Sequence, residues 1–271
     1  MKKVFTFWEP KESVPGYVRL CMDTWARNLP GCEVVVLDRE SLRGYLAADE
    51  LAEIDCPAES LAKQADCIRC ALLNRYGGIW LDADTVLTKP LDARFTSSEV
   101  TMVARREASG PVIYGAYIHA ARPGTKLMSE WYRQLVPRIA KARTLRCGRL
   151  RRLLDRRGWR QVRGWSYFEN DILDPLVAHI DPADCTLVDK DAVGAFPEES
   201  LYGREGVDGP HSAYVNYWFS PGPADETLAD CAGIVMLHNS WTPERFRAMS
   251  EKEFLATNTR LANVLRVLTG K

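Results

Sequence analysis

Asp82 and Asp84 directly follow the apolar run Ile79-Trp80-Leu81. Carboxylates two residues apart at the end of a buried strand point to one side when extended, and in a turn both can converge on a single cation. Acidic groups so placed suit a divalent metal that grips phosphate oxygens. The structural alternative is a pair of capping or solvated turn aspartates. Upstream, Asp66 and Arg69 are spaced i, i+3 on a predicted helix, where they could form a plain surface ion pair or meet a ligand together. His238 follows the run Gly233-Ile-Val-Met-Leu237, which places its imidazole at another predicted strand end. His119, His179 and His211 have no such setting and take no role.

The elements that must hold these groups can be read from periodicity. Leu61 to Tyr76 carries apolar residues at 61, 65, 68, 72 and 76, which is one helical face, and Gly77-Gly78 stops it where left-handed backbone is wanted. Asp66 and Arg69 share a different face. Lys2 to Phe7 reads as a strand, Tyr17 to Asn28 as a helix closed by Pro30-Gly31, and Glu33 to Leu37 as a second, buried strand. Strands alternating with helices predict an α/β protein built on a parallel sheet, whose ligands bind at the carboxyl ends of the strands. Glu251 to Leu268, with apolar residues at 254, 255, 261, 265 and 268, predicts a helix packed on the core.

Composition bounds the function. A chain of 271 residues that is 46% apolar fits one domain, residues 1–271, with a sizeable core. An aromatic content of 10% and a charged content of 27% exclude a disordered chain. Thirty-six basic residues balance 36 acidic ones, which argues against a nucleic-acid partner. Cysteines 21, 32, 56, 67, 70, 147, 185 and 231 are scattered, as expected for reduced thiols, and Cys67-x-x-Cys70 sits inside a helical pattern as a structural pair. Glu9 and Pro10 interrupt the apolar start before a signal segment could form, and no run reaches the roughly twenty residues of a membrane span. A cytoplasmic protein is expected, soluble or peripheral on the inner face of the cell membrane.

Net neutrality conceals an asymmetry. From Arg133 to Arg163 there are eleven Arg and Lys141 against Asp155 alone, a local charge of +11 in an otherwise acidic chain. Trp131, Tyr132, Leu135, Val136, Ile139, Leu145, Leu150, Leu153, Leu154 and Trp159 interleave with these charges at broadly helical spacing. Residues 124–165 therefore read as a cationic helical insertion. Its basic face could lie on an anionic membrane through 131–163, or meet acids elsewhere in the chain.

The stretch from Lys63 to Thr85, Lys-Gln-Ala-Asp66-Cys-Ile-Arg69-Cys-Ala-Leu-Leu-Asn-Arg-Tyr-Gly-Gly-Ile-Trp-Leu-Asp82-Ala-Asp84-Thr, resembles the sugar-binding region of DxD-motif glycosyltransferases. That group includes capsular-polysaccharide-synthesis transferases, fungal mannosyltransferases and, more distantly, clostridial glucosylating toxins. Phe5-Thr-Phe-Trp8-Glu-Pro10, Leu20-Cys-Met-Asp-Thr-Trp25, Val35-Val-Leu-Asp38 and His238-Asn-Ser-Trp241 look most like the capsular branch. The likeness is close over the first hundred or so residues and poor from about 105 to 230.

The resemblance implies a glycosyltransferase-A type fold, a Rossmann-like mixed sheet flanked by helices. It implies a metal-dependent transferase that moves a sugar from a nucleotide-sugar donor to a glycan or polyprenyl-linked acceptor, with retention, in bacterial surface polysaccharide synthesis. On that likeness Asp66 and Arg69 contact donor hydroxyls and the phosphate side of the leaving group. Asp82 bonds the ribose or sugar, and Asp84 ligates the metal. His238 completes the coordination, with Ser240 a weaker candidate, and Ser240 and Trp241 also stand as donor contacts. Trp8 lies against the nucleobase. Carboxylate oxygens with one imidazole suit Mn²⁺ and, slightly less well, Mg²⁺. Glu169, Asp171 and Asp174 correspond loosely to the acceptor-side segment, but the usual Gly-Pro pair is missing and helix-start acids explain them as well. Two other readings use the same residues. One is a catalytically silent sugar-nucleotide or glycan-binding module. The other is a haloacid-dehalogenase-like phosphatase with Asp82 as nucleophile, which would need a later acidic pair after a glycine that Asp181-Pro-Ala-Asp184 lacks.

Overall fold

Val4, Phe5 and Phe7 are buried on β1 (Lys2–Phe7), and the chain leaves that strand through α1 (Gly16–Asn28) to β2 (Cys32–Leu37). It returns through α2 (Ala48–Ile54) and α3 (Leu61–Tyr76) to β3 (Gly78–Leu81). The three strands are parallel, with Val4 opposite both Val34 and Ile79, as helix crossovers require. β4 (Thr85–Leu87) then leaves the sheet. The computed structural model describes residues 2–190, 210–225, 228 and 233–271; Cys231 lies outside them.

β5 (Val100–Glu107) and β6 (Gly110–Ala120) form a hairpin, so they run antiparallel, and the sheet becomes mixed. β6 inserts beside β3, antiparallel to it, and β7 (Cys185–Asp189) adds parallel to β5. The order is β2-β1-β3-β6-β5-β7, with β6 alone reversed. This is the α/β class that the alternation predicts. A separate antiparallel pair joins β4 to β8 (Ile234–Met236).

α3 starts at Ser60, whose hydroxyl accepts from Lys63 N, and ends at Gly77 and Gly78 with φ of 64° and 93°. A Cβ on Gly77 would stand 2.7 Å from the Arg122 carbonyl carbon, and one on Gly78 would stand 2.5 Å from Lys3 O, so both positions require glycine. The buried face of α3 is wider than the predicted stripe. Cys67, Ile68, Cys70, Ala71, Leu72 and Leu73 enter the core, whereas Leu61, counted with the apolar face, is 46% exposed. Helix α3 lies between the sheet and α4 (Lys126–Cys147), so few of its sides meet water. Burial pushes the Cys67 and Cys70 thiols well up, which keeps them protonated and inert, in keeping with a structural pair.

The cationic segment forms α4, α5 (Arg149–Leu154) and α6 (Arg156–Arg163), followed by α7 (Asn170–His179). Helix α4 is built into the core through Trp131, Leu135, Ile139, Ala142 and Leu145. Glu59 ties the layers together: it pairs with Lys63 of α3 at 3.2 Å and with Arg146 of α4 at 2.6 Å, and Lys63 Nζ donates to Val162 O of α6 at 2.8 Å.

The C-terminal run is two helices rather than one. After α8 (Pro210–Trp218) and α9 (Glu244–Arg247) come α10 (Glu251–Leu255) and α11 (Arg260–Thr269). The break falls at Thr257-Asn-Thr259. Thr257 Oγ1 donates to Phe254 O, and Thr259 Oγ1 accepts from Ala262 N, so short polar side chains compete with the helix and cap its second half. Phe254, Leu261 and Leu265 are buried, and the run packs on the core as predicted.

Candidate active site

The carboxyl ends of β1 and β3 open into a cleft of about 650 Å³. The first turns of β6 face it too, because that strand runs in reverse and brings Val112 to Ala116 to the same edge. α3 supplies one wall with Leu61, Ala65, Asp66 and Arg69, and the segment after β8 supplies the opposite wall.

Arg69 is the hub. Its guanidinium is almost fully buried and reaches Asp82 Oδ1 at 2.9 Å and Asp66 Oδ1 at 3.3 Å, and pairs with Glu169 Oε1. Its face lies over the Trp80 ring, with Cζ 5.1 Å from the centroid. Trp80 Nε1 donates to the same Asp82 oxygen at 2.7 Å. Trp80 and Asp82 are two residues apart at the strand end, so both side chains emerge on one face. Among the described residues nothing donates to Asp82 Oδ2, and the side chain is 36% exposed, so that oxygen looks into the cleft. Burial pushes the Asp66 carboxyl up to about 6 against the pull of Arg69, with Asp82 adding to the rise.

Asp84 faces the other wall. The β4–β8 register pairs Thr85 with Met236, which sets the residue before Thr85 beside those after Met236. Asn239 N accordingly donates to Asp84 Oδ2 at 2.7 Å. β4 is itself clamped by α1, whose Trp25 Nε1 donates to Thr85 O and whose Thr24 hydroxyl accepts from Leu87 N. Burial and the charge of Asp82 push Asp84 up to about 7, with Asn239 N–H and His238 holding it back in part.

His238 and Ser240 line the cleft, as does Trp8 at the end of β1. Trp241 is placed differently from the sequence expectation. It does not line the cleft but packs behind His238, ring centroids 4.1 Å apart, and edge-on to Tyr214, whose hydroxyl accepts from His238 N at 3.0 Å. Residues 239–241 form a single 3₁₀ turn, so consecutive side chains cannot all face one ligand. The structure thus brings Trp8, Asp66, Arg69, Asp82, Asp84, His238 and Ser240 to one cleft, with Trp241 supporting the imidazole from behind.

Three participants were not assigned from sequence. Glu169 precedes α7, but its carboxylate makes no cap bond and turns instead to Arg69, which corrects the helix-start reading for that residue. Asp171 does start the helix and accepts from Ser166, while Asp174 accepts from Ile113 N at 3.0 Å and fixes α7 to β6. Gly115 is the second: any Cβ there would fall onto both Arg69 Nη1 and Glu169 Oε1. Asn239 is the third, and its place beside His238 was its only signal. Its Oδ1 accepts from Tyr17 Oη at 2.6 Å, so the loop is anchored to α1.

Charge decides what the cleft can take. Glu9, Asp66, Asp82, Asp84 and Glu169 line it against Arg69 and His238. Among the described residues no three ligating side chains converge on one point. A divalent cation at Asp84 and His238 would therefore have two protein groups and take its remaining ligands from phosphate oxygens and water, a coordination that suits Mg²⁺ and Mn²⁺. The net negative charge and the raised Asp84 carboxyl fit such an ion.

The family model for capsular polysaccharide synthesis proteins matches residues 1–144. The chain belongs to that family. The matched segment carries Trp8, Asp66, Arg69, Asp82, Asp84 and Gly115, while Glu169 and the 238–241 motif lie beyond it. No curated protein matches the sequence significantly. Among solved structures the glycosyltransferase PaToxG is similar over 65% of this chain and 68% of its own, at 13% identity and a TM-score of 0.42. Among the described residues no helix is long and apolar enough to cross a membrane.

Proposed function

We propose that this member of the family is a metal-dependent glycosyltransferase. It takes a nucleotide-sugar donor, passes the sugar to a glycan or lipid-linked acceptor with retention of configuration, and has the glycosyltransferase-A arrangement. One observation carries the reading: a cleft at the carboxyl ends of the sheet holds a buried guanidinium within an excess of carboxylates. A diphosphate could not enter so acidic a cleft by itself, whereas a diphosphate carrying a divalent cation would complement it. Asp84 and His238 would hold the ion, Mn²⁺ or Mg²⁺, with Ser240 close by. When bound, the ion neutralises charge that develops on the departing nucleoside diphosphate.

The protein's own groups do the rest. Arg69 is fixed by carboxylates on two sides and by Trp80 beneath, so it keeps its orientation without reorganisation as charge grows. Asp82, with Oδ1 committed to Arg69 and Trp80, presents Oδ2 to a sugar or ribose hydroxyl. Asp66 and Glu169 hold Arg69 from the side away from Asp82. Trp8 offers an aromatic face for the base, and Leu61 and Ala65 exclude water from the α3 wall. The Asp181 and Asp184 pair is not on the cleft wall, which leaves the phosphatase reading without its second acidic site.

Calorimetric titration with UDP, GDP and their sugar derivatives, with and without Mn²⁺, tests the reading. Binding that requires the ion is expected, and Trp8→Ala should weaken it by roughly tenfold or more, the scale of one base–aromatic stack. Binding that is indifferent to metal would contradict it.

A further inference from the structure

The arginines of the cationic segment divide into two sets. Those of α4 are used internally: Arg133 pairs with Glu130 and Arg146 with Glu59, and Arg138 and Arg143 donate to backbone carbonyls. On α5 and α6 only Arg152 is used in that way, donating to Arg146 O at 3.2 Å and lying over the Trp159 ring. Among the described residues Arg149, Arg151, Arg156, Arg157, Arg160 and Arg163 are exposed and make no side-chain hydrogen bond, ion pair or ring contact. On α6, Arg156, Arg160 and Arg163 fall at i, i+4 and i+7 with Arg157 beside them, opposite the buried Gly158 and Val162. Like charges at that spacing destabilise a helix. The face is kept by its packing and by the Lys63 bond to Val162 O.

Apolar groups stand among these charges. Leu153 and Leu154 are 61% and 80% exposed, and Trp165, two residues past Arg163, is 69% exposed and reaches the mouth of the cleft. A soluble polyanion would satisfy the arginines and leave these side chains in water. A bilayer with anionic headgroups satisfies both, because the arginines meet phosphates while Leu153, Leu154 and Trp165 enter the acyl boundary.

We propose that α5, α6 and Trp165 form a docking surface for an anionic lipid bilayer, which turns the cleft mouth toward the membrane. This narrows the docking region from 131–163 to 149–165. It also places the acceptor side of the proposed transferase where a lipid-linked substrate would emerge, and that last step alone rests on the transferase reading. Vesicle retention needs neither donor nor metal, so its failure would leave the cleft chemistry untouched.

The test is co-sedimentation with phosphatidylcholine vesicles, with and without phosphatidylglycerol, at low and high salt. Retention on the anionic vesicles alone is expected, weakening with salt. Arg156→Gln/Arg157→Gln/Arg160→Gln should lose about fivefold in partitioning for each arginine removed. Leu153→Gln/Leu154→Gln should weaken retention at unchanged charge. All these side chains are exposed, so an unaltered thermal melt verifies that the variants fold. No retention of the parent at low salt would overturn the proposal. Undiminished retention of the leucine variant, with dextran sulfate bound equally by both, would overturn it in favour of a soluble polyanion.

Discussion

Asp84 holds its proton up to about 7 because burial and Asp82 disfavour the charge. Its ordinary value is 3.8, so the folded protein binds more protons than the unfolded chain between about pH 4 and 7, and stability falls as pH rises through that window. Asp84→Asn removes the charge and can still accept from Asn239 N. It should stabilise the fold by about 1–3 kcal/mol at pH 8 and by nothing below pH ~4, read from denaturant unfolding at the two pH values. Excess Mn²⁺ should raise the melting temperature of the parent and leave the variant unmoved. Gly115 tests the hub beside it. Gly115→Ala places a methyl group against Arg69 and Glu169, and a cost of about 1–3 kcal/mol in stability with loss of donor turnover is expected. A variant as active as the parent would show that the Arg69–Glu169 pair does not matter. Asp66, Arg69, Asp82 and Asp84 were legible because their spacing is local. Glu169 was not, since it lies 100 residues from Arg69 and only the packing of the segment 165–168 on α3 brings the two together.

Among elements, α3 is the one on which the site depends, and Glu59 with Lys63 ties it to α4 and α6. The Glu59 carboxylate is 3% exposed and answers two cations, Lys63 and Arg146. Glu59→Ala leaves Lys63 buried without its carboxylate and should cost about 3–5 kcal/mol in denaturant unfolding, far above the cost of removing an exposed pair such as Arg94–Asp92. Equal costs for the two would contradict the buried-clamp account. The early strands and helices were readable because each follows one period, and Gly77-Gly78 marks its stop plainly. The reversal of β6 was not readable, since a hairpin strand buried on both faces carries the same apolar pattern as a parallel one. The break in the C-terminal helix was missed because the apolar positions continue in register across Thr257 to Thr259, where capping chemistry overrides them.

At the scale of the whole molecule, balanced charge separates into two surfaces. The cleft concentrates carboxylates around Arg69, and α5 with α6 displays arginines that the fold does not use. The family match reaches residue 144, so the first surface lies mostly inside the matched segment and the second just beyond it. Composition alone shows neither, because it sums over both; counting charge along the chain exposed the basic surface, and only folding assembled the acidic one. The central claim is that the acidic surface transfers sugar with a divalent ion at Asp84. The direct measurement is release of nucleoside diphosphate from a panel of nucleotide-sugars in Mn²⁺, comparing the parent with Asp84→Ala. At least one donor should be hydrolysed by the parent, with chelation or the substitution lowering the rate by about a hundredfold or more. Equal rates in the two proteins, or no donor consumed by the parent, would contradict the account.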